Sequence, residues 1–140
     1  MTENYKIVSE FIKDMSSETP DIETYLFVKE NITKYHLAIN ITSKALKNKM
    51  IEVCTTIKYE DKEASEKRSY FEINYATIVK INEEMVDKKK LEKILLCDVQ
   101  KNIYPRLEKA LLNLIHDCGF QDVQFSKKVD FEELYKGKFN

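Results

Sequence analysis

The hydrophobic period of this chain changes once, near Asn82, and that change sharply limits the folds open to it. Before it, Tyr35, Leu37, Ile39 and Ile41 alternate with Lys34, His36, Asn40 and Thr42. Ile51, Val53, Thr55, Ile57 and Tyr59 repeat the alternation, as do Phe71, Ile73, Tyr75, Thr77, Val79 and Ile81. A period of two sends successive side chains to opposite faces of a strand. Residues 43–49 read as a polar turn and the charged stretch 60–68 as a solvated hairpin loop. Such short connections make the three strands antiparallel neighbours. Residues 5–14 read as an earlier strand, broken at 15–20 by turn-forming residues. Residues 21–33, with the apolar knot Tyr25-Leu26-Phe27-Val28, read as a loop or short turn of helix crossing over the sheet.

After Asn82 the period is nearly four. Leu91, Ile94, Leu95 and Val99 mark a first helical segment, and Pro105 is expected to kink or restart the helix. In residues 106–118, Leu107, Leu111, Leu114, Ile115 and Cys118 form one apolar stripe. Pro105 suits the first helical position, and Gly119 suits the left-handed position that closes a helix. Residues 121–128 read as extended and mixed. Asp130, with Glu133 three residues on, forms a capping box for a short final helix. Strands followed by helices give an α+β fold: a four-stranded antiparallel sheet, then a long helix and a short C-terminal helix. Residues 1–140 are expected to form a single domain.

The composition excludes several functions. Lys+Arg 23 against Asp+Glu 24 argues for neither nucleic-acid binding nor polyanion avoidance. The run Lys88-Lys89-Lys90, a solvated helix start after acidic Glu83, Glu84 and Asp87, makes a weak nucleic-acid footprint. No apolar run is long enough to span a bilayer, and the N-terminus lacks a signal-peptide pattern. Cys54, Cys97 and Cys118 are scattered and odd in number, which reads as reduced, buried thiols of a cytoplasmic protein. Only two glycines are present, leaving little for a phosphate-cradling loop. No metalloprotease, P-loop or nucleophile-elbow motif occurs. His36, on the polar face of a strand, and His116, near a helix C-terminus, read as structural. No catalytic residue, metal or cofactor is expected. Tyr25 and Phe27 belong to no periodic element; they either cover the sheet edge or border a binding surface.

Four stretches in chain order carry a resemblance. They are Phe11-Ile12-Lys13-Asp14-Met15-Ser16-Ser17-Glu18-Thr19-Pro20, Glu72-Ile73, Ile103-Tyr104-Pro105-Arg106, and Val129-Asp130-Phe131-Glu132-Glu133-Leu134-Tyr135. Together they resemble the SecB family of preprotein-export chaperones. The resemblance implies the four-stranded sheet with one long and one short helix, assembled as a homotetramer built from two dimers. It implies an ATP-independent holdase that binds unfolded precursors in apolar grooves and passes them to the SecA motor. On that likeness Asp14, Glu18, Tyr70 and Glu72 fall at SecA-contacting positions, and Tyr25, Leu26, Phe27 and Val28 border the client groove. Two alternatives stay open: a SecB-like chaperone dedicated to one client, such as an antitoxin of a toxin–antitoxin system, and a protein-interaction module that does not chaperone.

Overall fold

The computed structural model describes residues 4–61, 68–82, 87–125 and 128–139. The elements are β1 (Tyr5–Glu18), α1 (Ile22–Asn31) with a 3-10 turn (Ile32–Lys34), β2 (His36–Ala45), β3 (Met50–Glu60), β4 (Tyr70–Ile81), α2 (Lys88–Lys93), a π-helical turn (Ile94–Asp98), α3 (Val99–Asp117) and α4 (Phe131–Phe139). The strands form one antiparallel sheet in the order β1-β4-β3-β2, so β1 and β2 are its edges. This is the α+β sheet expected from the periodicity. Most of the expected hairpin loop, residues 62–67, lies outside the described residues, as do Glu83 and Glu84.

Three boundaries differ from the sequence reading. β1 does not stop at Asp14; it continues to Glu18, with Met15 opposite Ile73 and Glu18 opposite Tyr70. The ladder to β4 supplies backbone partners that outweigh the turn tendency of Ser16 and Ser17. Two register shifts, at Ile7/Ser9 and Ile12/Asp14, reset which face each β1 residue takes. That is why this strand carries apolar residues in both parities. Residues 21–33 hold a ten-residue helix rather than a loop or a single turn. Asp21 starts it by accepting the Thr24 N–H at 2.8 Å.

The third difference concerns Pro105. The main helix does not begin there. Helical structure runs on from Lys88, where the Asp87 carboxylate accepts the Lys89 N–H at 2.9 Å, and Pro105 lies inside α3. An interior proline costs about 3 kcal/mol. Val99, Ile103, Leu107, Leu111 and Ile115 are each fully buried on the same stripe. Each such side chain is worth roughly 1.5–3 kcal/mol, so the packing wins. Their partners are Val53, Ile57, Phe71, Ile73 and Val79 on the inner sheet face. Leu114 and Cys118, placed on the stripe by their spacing, are only partly buried at its margin.

Contacts to β1 fix how the helix lies. The Tyr5 hydroxyl donates to the Asp98 carbonyl (3.3 Å), Arg106 donates to the Glu10 carboxylate (2.6 and 2.8 Å), and the Cys118 thiol donates to Ser17 Oγ (3.6 Å). Residue numbers rise together in both elements, so the helix runs along β1 in the same direction. α3 closes as expected at Gly119, which adopts φ +102°. Its N–H donates to the His116 carbonyl, and that of Phe120 to the Ile115 carbonyl, the bond pair of a Schellman cap.

Candidate binding groove

β2 is an edge strand whose inner face α3 does not fully cover. Leu37, Ile39 and Ile41 on that face are only half-buried, although their alternation matches that of the core strand β3. The space beside them is a chain of three connected cavities. The largest, ≈ 1000 Å³, is lined by Ile32, Tyr35, Leu37, Ile39 and Tyr59 on one side and Val123, Phe125, Val129 and Leu134 on the other. It shares Ile32, Asp122 and Val123 with a ≈ 400 Å³ cavity that reaches Tyr25 and Lys29. It shares Ile39, Glu133 and Leu134 with a ≈ 360 Å³ cavity that extends to Ile41, Leu96 and Tyr135. The result is one groove from α1 past the inner face of β2 to α4, mixed in polarity at the α1 end and largely apolar beyond it.

Aromatic packing holds the floor. Tyr35 and Tyr59 pack as tilted rings with centroids 5.3 Å apart, and Tyr59 meets Phe125 edge-on at 5.4 Å. The Tyr35 hydroxyl donates to the Ser69 carbonyl (2.7 Å) and accepts the Ser69 N–H (3.0 Å). Burial pushes the Tyr35 and Tyr59 phenols up, so both rings stay neutral in the floor. The far wall is α4. Asp130 caps it by accepting the N–H groups of Glu132 and Glu133, both at 3.1 Å. Phe131 is buried against Tyr104, with ring centroids 5.2 Å apart, and Lys101 pairs with Glu132 at 2.7 Å. That anchoring leaves Leu134 48% exposed on the groove wall. Charges such as Lys29, Asp122, Lys128 and Glu133 line the groove among its apolar residues.

The four residues of the apolar knot separate. Tyr25 lines the groove, and its hydroxyl donates to the Gly119 carbonyl at 2.8 Å. Leu26 and Phe27 are exposed, at 54% and 44%, and line none of the three cavities. Val28 is core, 1% exposed, because α1 turns it toward the sheet. Leu37, Ile39, Tyr59, Val123, Phe125 and Leu134 went unnoticed as groove residues. The sheet residues among them read in sequence as ordinary core positions, and only the spacing of Val123 and Phe125 hinted at an extended wall.

Asp14, Glu18, Tyr70 and Glu72 do come together, on the opposite, outer face of the sheet. Glu18 stands opposite Tyr70, Ser16 opposite Glu72, and Asp14 opposite Asn74. Lys58, on β3, lies among them. Its ammonium is 3.7 Å from both Glu72 and Glu60 and 5.8 Å from the Tyr70 ring centre. Of the cysteines, Cys97 is buried as expected, but Cys54 and Cys118 are half-exposed; all three are free. Cys54 faces outward because it alternates with buried Val53 and Thr55. Cys118 sits at the helix end, where the stripe leaves the core. Among the described residues no group of three His, Cys, Asp or Glu could hold a metal, and no helix is long and apolar enough to cross a membrane.

With this geometry in place, comparison with known proteins gives a consistent result. A family model described as preprotein translocase subunit SecB matches residues 1–140. The chain is 55% identical, over the full length of both, to a putative protein-export protein SecB of Pelagibacter ubique. It is 25% identical to the protein-export protein SecB of a Bradyrhizobium strain, over 93% of this chain and 78% of that one. The fold matches a SecB-like chaperone of Mycobacterium tuberculosis, solved in complex with a peptide from an antitoxin. That match has a TM-score of 0.64 and 9% identity, and it covers 89% of this chain and 91% of the other. The chain belongs to the SecB family of protein-export chaperones.

Proposed function

We propose that this protein is an ATP-independent holdase that takes extended segments of unfolded preproteins into the groove beside β2 and passes them to the SecA motor from the outer sheet face. The observation that carries this reading is the largely apolar groove along an edge strand. An unfolded segment offers apolar side chains and unpaired backbone groups; the groove accepts the former and the free edge of β2 the latter. Many shallow contacts of this kind hold a client without reading its sequence, and a cytoplasmic homotetramer would multiply them. Leu26 and Phe27 add exposed apolar surface on α1, outside the groove itself. Asp14, Glu18, Tyr70 and Glu72 share the outer face, where carboxylates suit a basic segment of SecA.

A reading as a chaperone dedicated to one client, such as an antitoxin, draws on the likeness to the Mycobacterium tuberculosis chaperone. That likeness is one of fold, whereas the 55% identical relative is named for protein export, and general export is preferred.

The test is suppression of aggregation of a refolding protein without nucleotide, with the mass of the chaperone and its complex recorded by light scattering. A tetramer that suppresses aggregation is the expected result. Leu134→Ser, at an exposed groove position, is expected to weaken client binding about tenfold with an unchanged thermal melt. Full suppression by Leu134→Ser would remove the groove assignment. Binding of one short segment with no general suppression would move the reading to a dedicated client.

A further inference from the structure

We propose that the sheet end carrying the β2–β3 turn is a docking surface for an anionic lipid bilayer. The ladder registers set this end. Lys6 of β1 stands directly opposite Lys80 of β4, and Lys80 opposite Met50 of β3. Two exposed ammonium groups directly opposite each other repel, and neither meets a carboxylate among the described residues. Next to Met50 is the hairpin tip, where Lys47 and the 37% exposed Leu46 project from a tight turn. Asn48 and Lys49 both have positive φ (61° and 63°), and the Met50 N–H donates to the Lys47 carbonyl, as in the two-residue turns that hold hairpin tips rigid. Lys88, Lys89 and Lys90 begin α2 at this same end, since Tyr5 at the start of β1 bonds to Asp98 just beyond α2.

Two of the acidic groups at this end are engaged, while Glu92 of α2 stands beside its lysines. Asp87 caps α2, and Glu52, opposite Lys44, has its carboxylate held by Lys13 at 3.1 Å. Glu83 and Glu84 lie outside the described residues. Lys6 and Lys80 lie on the same outer face as Glu72, but at its far end. Glu72 and Lys80 are eight residues apart on one strand, roughly 27 Å at strand rise. The screening length at physiological salt is about 8 Å, so a near-neutral chain presents one cationic end whose field the acidic cluster does not cancel.

The side chains favour a bilayer over a nucleic acid. The cations named at this end are all lysines, which meet headgroup phosphates as point charges, with no arginine among them for bidentate phosphate contacts. The exposed apolar groups at this end are Leu46 and Val8, a residue at the first β1 register shift that is 51% exposed. Aliphatic side chains enter the headgroup–acyl boundary but offer no ring on which a base could stack. On a membrane, this end would meet the lipid and the outer-face carboxylates would lie toward the other end of the strands.

The test is flotation of the purified protein with vesicles. One set contains phosphatidylglycerol and phosphatidylethanolamine, the other phosphatidylcholine alone. Binding to the anionic set at low salt, with release by added salt, is expected. Reversing Lys6, Lys47 and Lys80 to Glu should lower the bound fraction about tenfold or more, with aggregation suppression retained. Leu46→Ser leaves the charge unchanged and should lower binding several-fold, so the proposal stands or falls even where the triple variant does not fold. Equal flotation with both vesicle sets, unchanged flotation of Leu46→Ser, or displacement of the anionic vesicles by single-stranded RNA would overturn it.

Discussion

Gly119 joins two parts of the molecule. It ends α3 at φ +102°, and its carbonyl accepts the Tyr25 hydroxyl from α1. A Cβ there would lie 2.7 Å from Tyr25 Cε1. Gly119→Ala is therefore expected to cost about 1–3 kcal/mol through backbone strain and steric overlap, read from chemical denaturation. The role of this glycine as a helix stop was legible in sequence; its contact with Tyr25 was not, because 94 residues separate the two. Glu10 is a second such residue. Arg106 and the Tyr75 hydroxyl both bond its carboxylate, and the Arg106 bonds do most to hold it below the usual carboxylate range, against opposing burial. Tyr75 is pushed up to about 12, by burial first and by Glu10 second. A carboxyl depressed in the folded state contributes stability above its unfolded pKa and loses it as pH falls through the folded one. Glu10→Gln should therefore lower stability at neutral pH and flatten the acid side of the stability–pH curve. Parallel acid limbs for both proteins would show that Glu10 does not titrate in this way.

At the scale of elements, the long helix depends on an interruption. The π-helical turn Ile94–Asp98 is followed by Gln100, a fully buried amide in an otherwise apolar stripe. Its NH₂ donates to the Leu95 carbonyl at 3.1 Å, and its Oε1 accepts the Thr55 hydroxyl of β3 at 2.8 Å. The amide thus satisfies a carbonyl within the altered turn and pins the helix to the sheet. Gln100→Ala would leave the buried Thr55 hydroxyl without this partner, remove the bond to the Leu95 carbonyl and open a cavity. The expected loss is about 2–5 kcal/mol, measured by urea unfolding. Thr55→Val should cost less, since the Leu95 bond survives. Sequence periodicity placed the stripe but gave no sign of the π turn, whose geometry depends on how helix and sheet fit together. Likewise Pro105 reads as a helix start when only local preferences are weighed. In the fold it is an interior position that the buried stripe on both sides carries through.

Across the whole molecule, the groove and the acidic face occupy opposite faces of one sheet, so their roles are expected to separate. Reversing charge at Asp14 and Glu72 should weaken SecA binding by about tenfold or more while aggregation suppression stays intact; Leu134→Ser should do the reverse. Loss of both functions together in either variant would show that the two faces do not act independently. Lys58 bridges Glu72 and Glu60 within the acidic face. Its removal, as Lys58→Ala, should leave that face more acidic and strengthen binding to a basic partner at low salt.

Four strands, the antiparallel order of β2, β3 and β4, the core stripe and the stop at Gly119 are all legible in the sequence. Each of these follows from periodicity and turn chemistry within a short window. Tertiary structure alone decided which apolar residues became groove rather than core. Ile57 and Ile39 carry the same side chain on the same sheet face, yet one is fully buried and the other lines an open cavity. The physical reason is coverage: β3 is an inner strand beneath the helix, while β2 is an edge strand that the helix covers only in part.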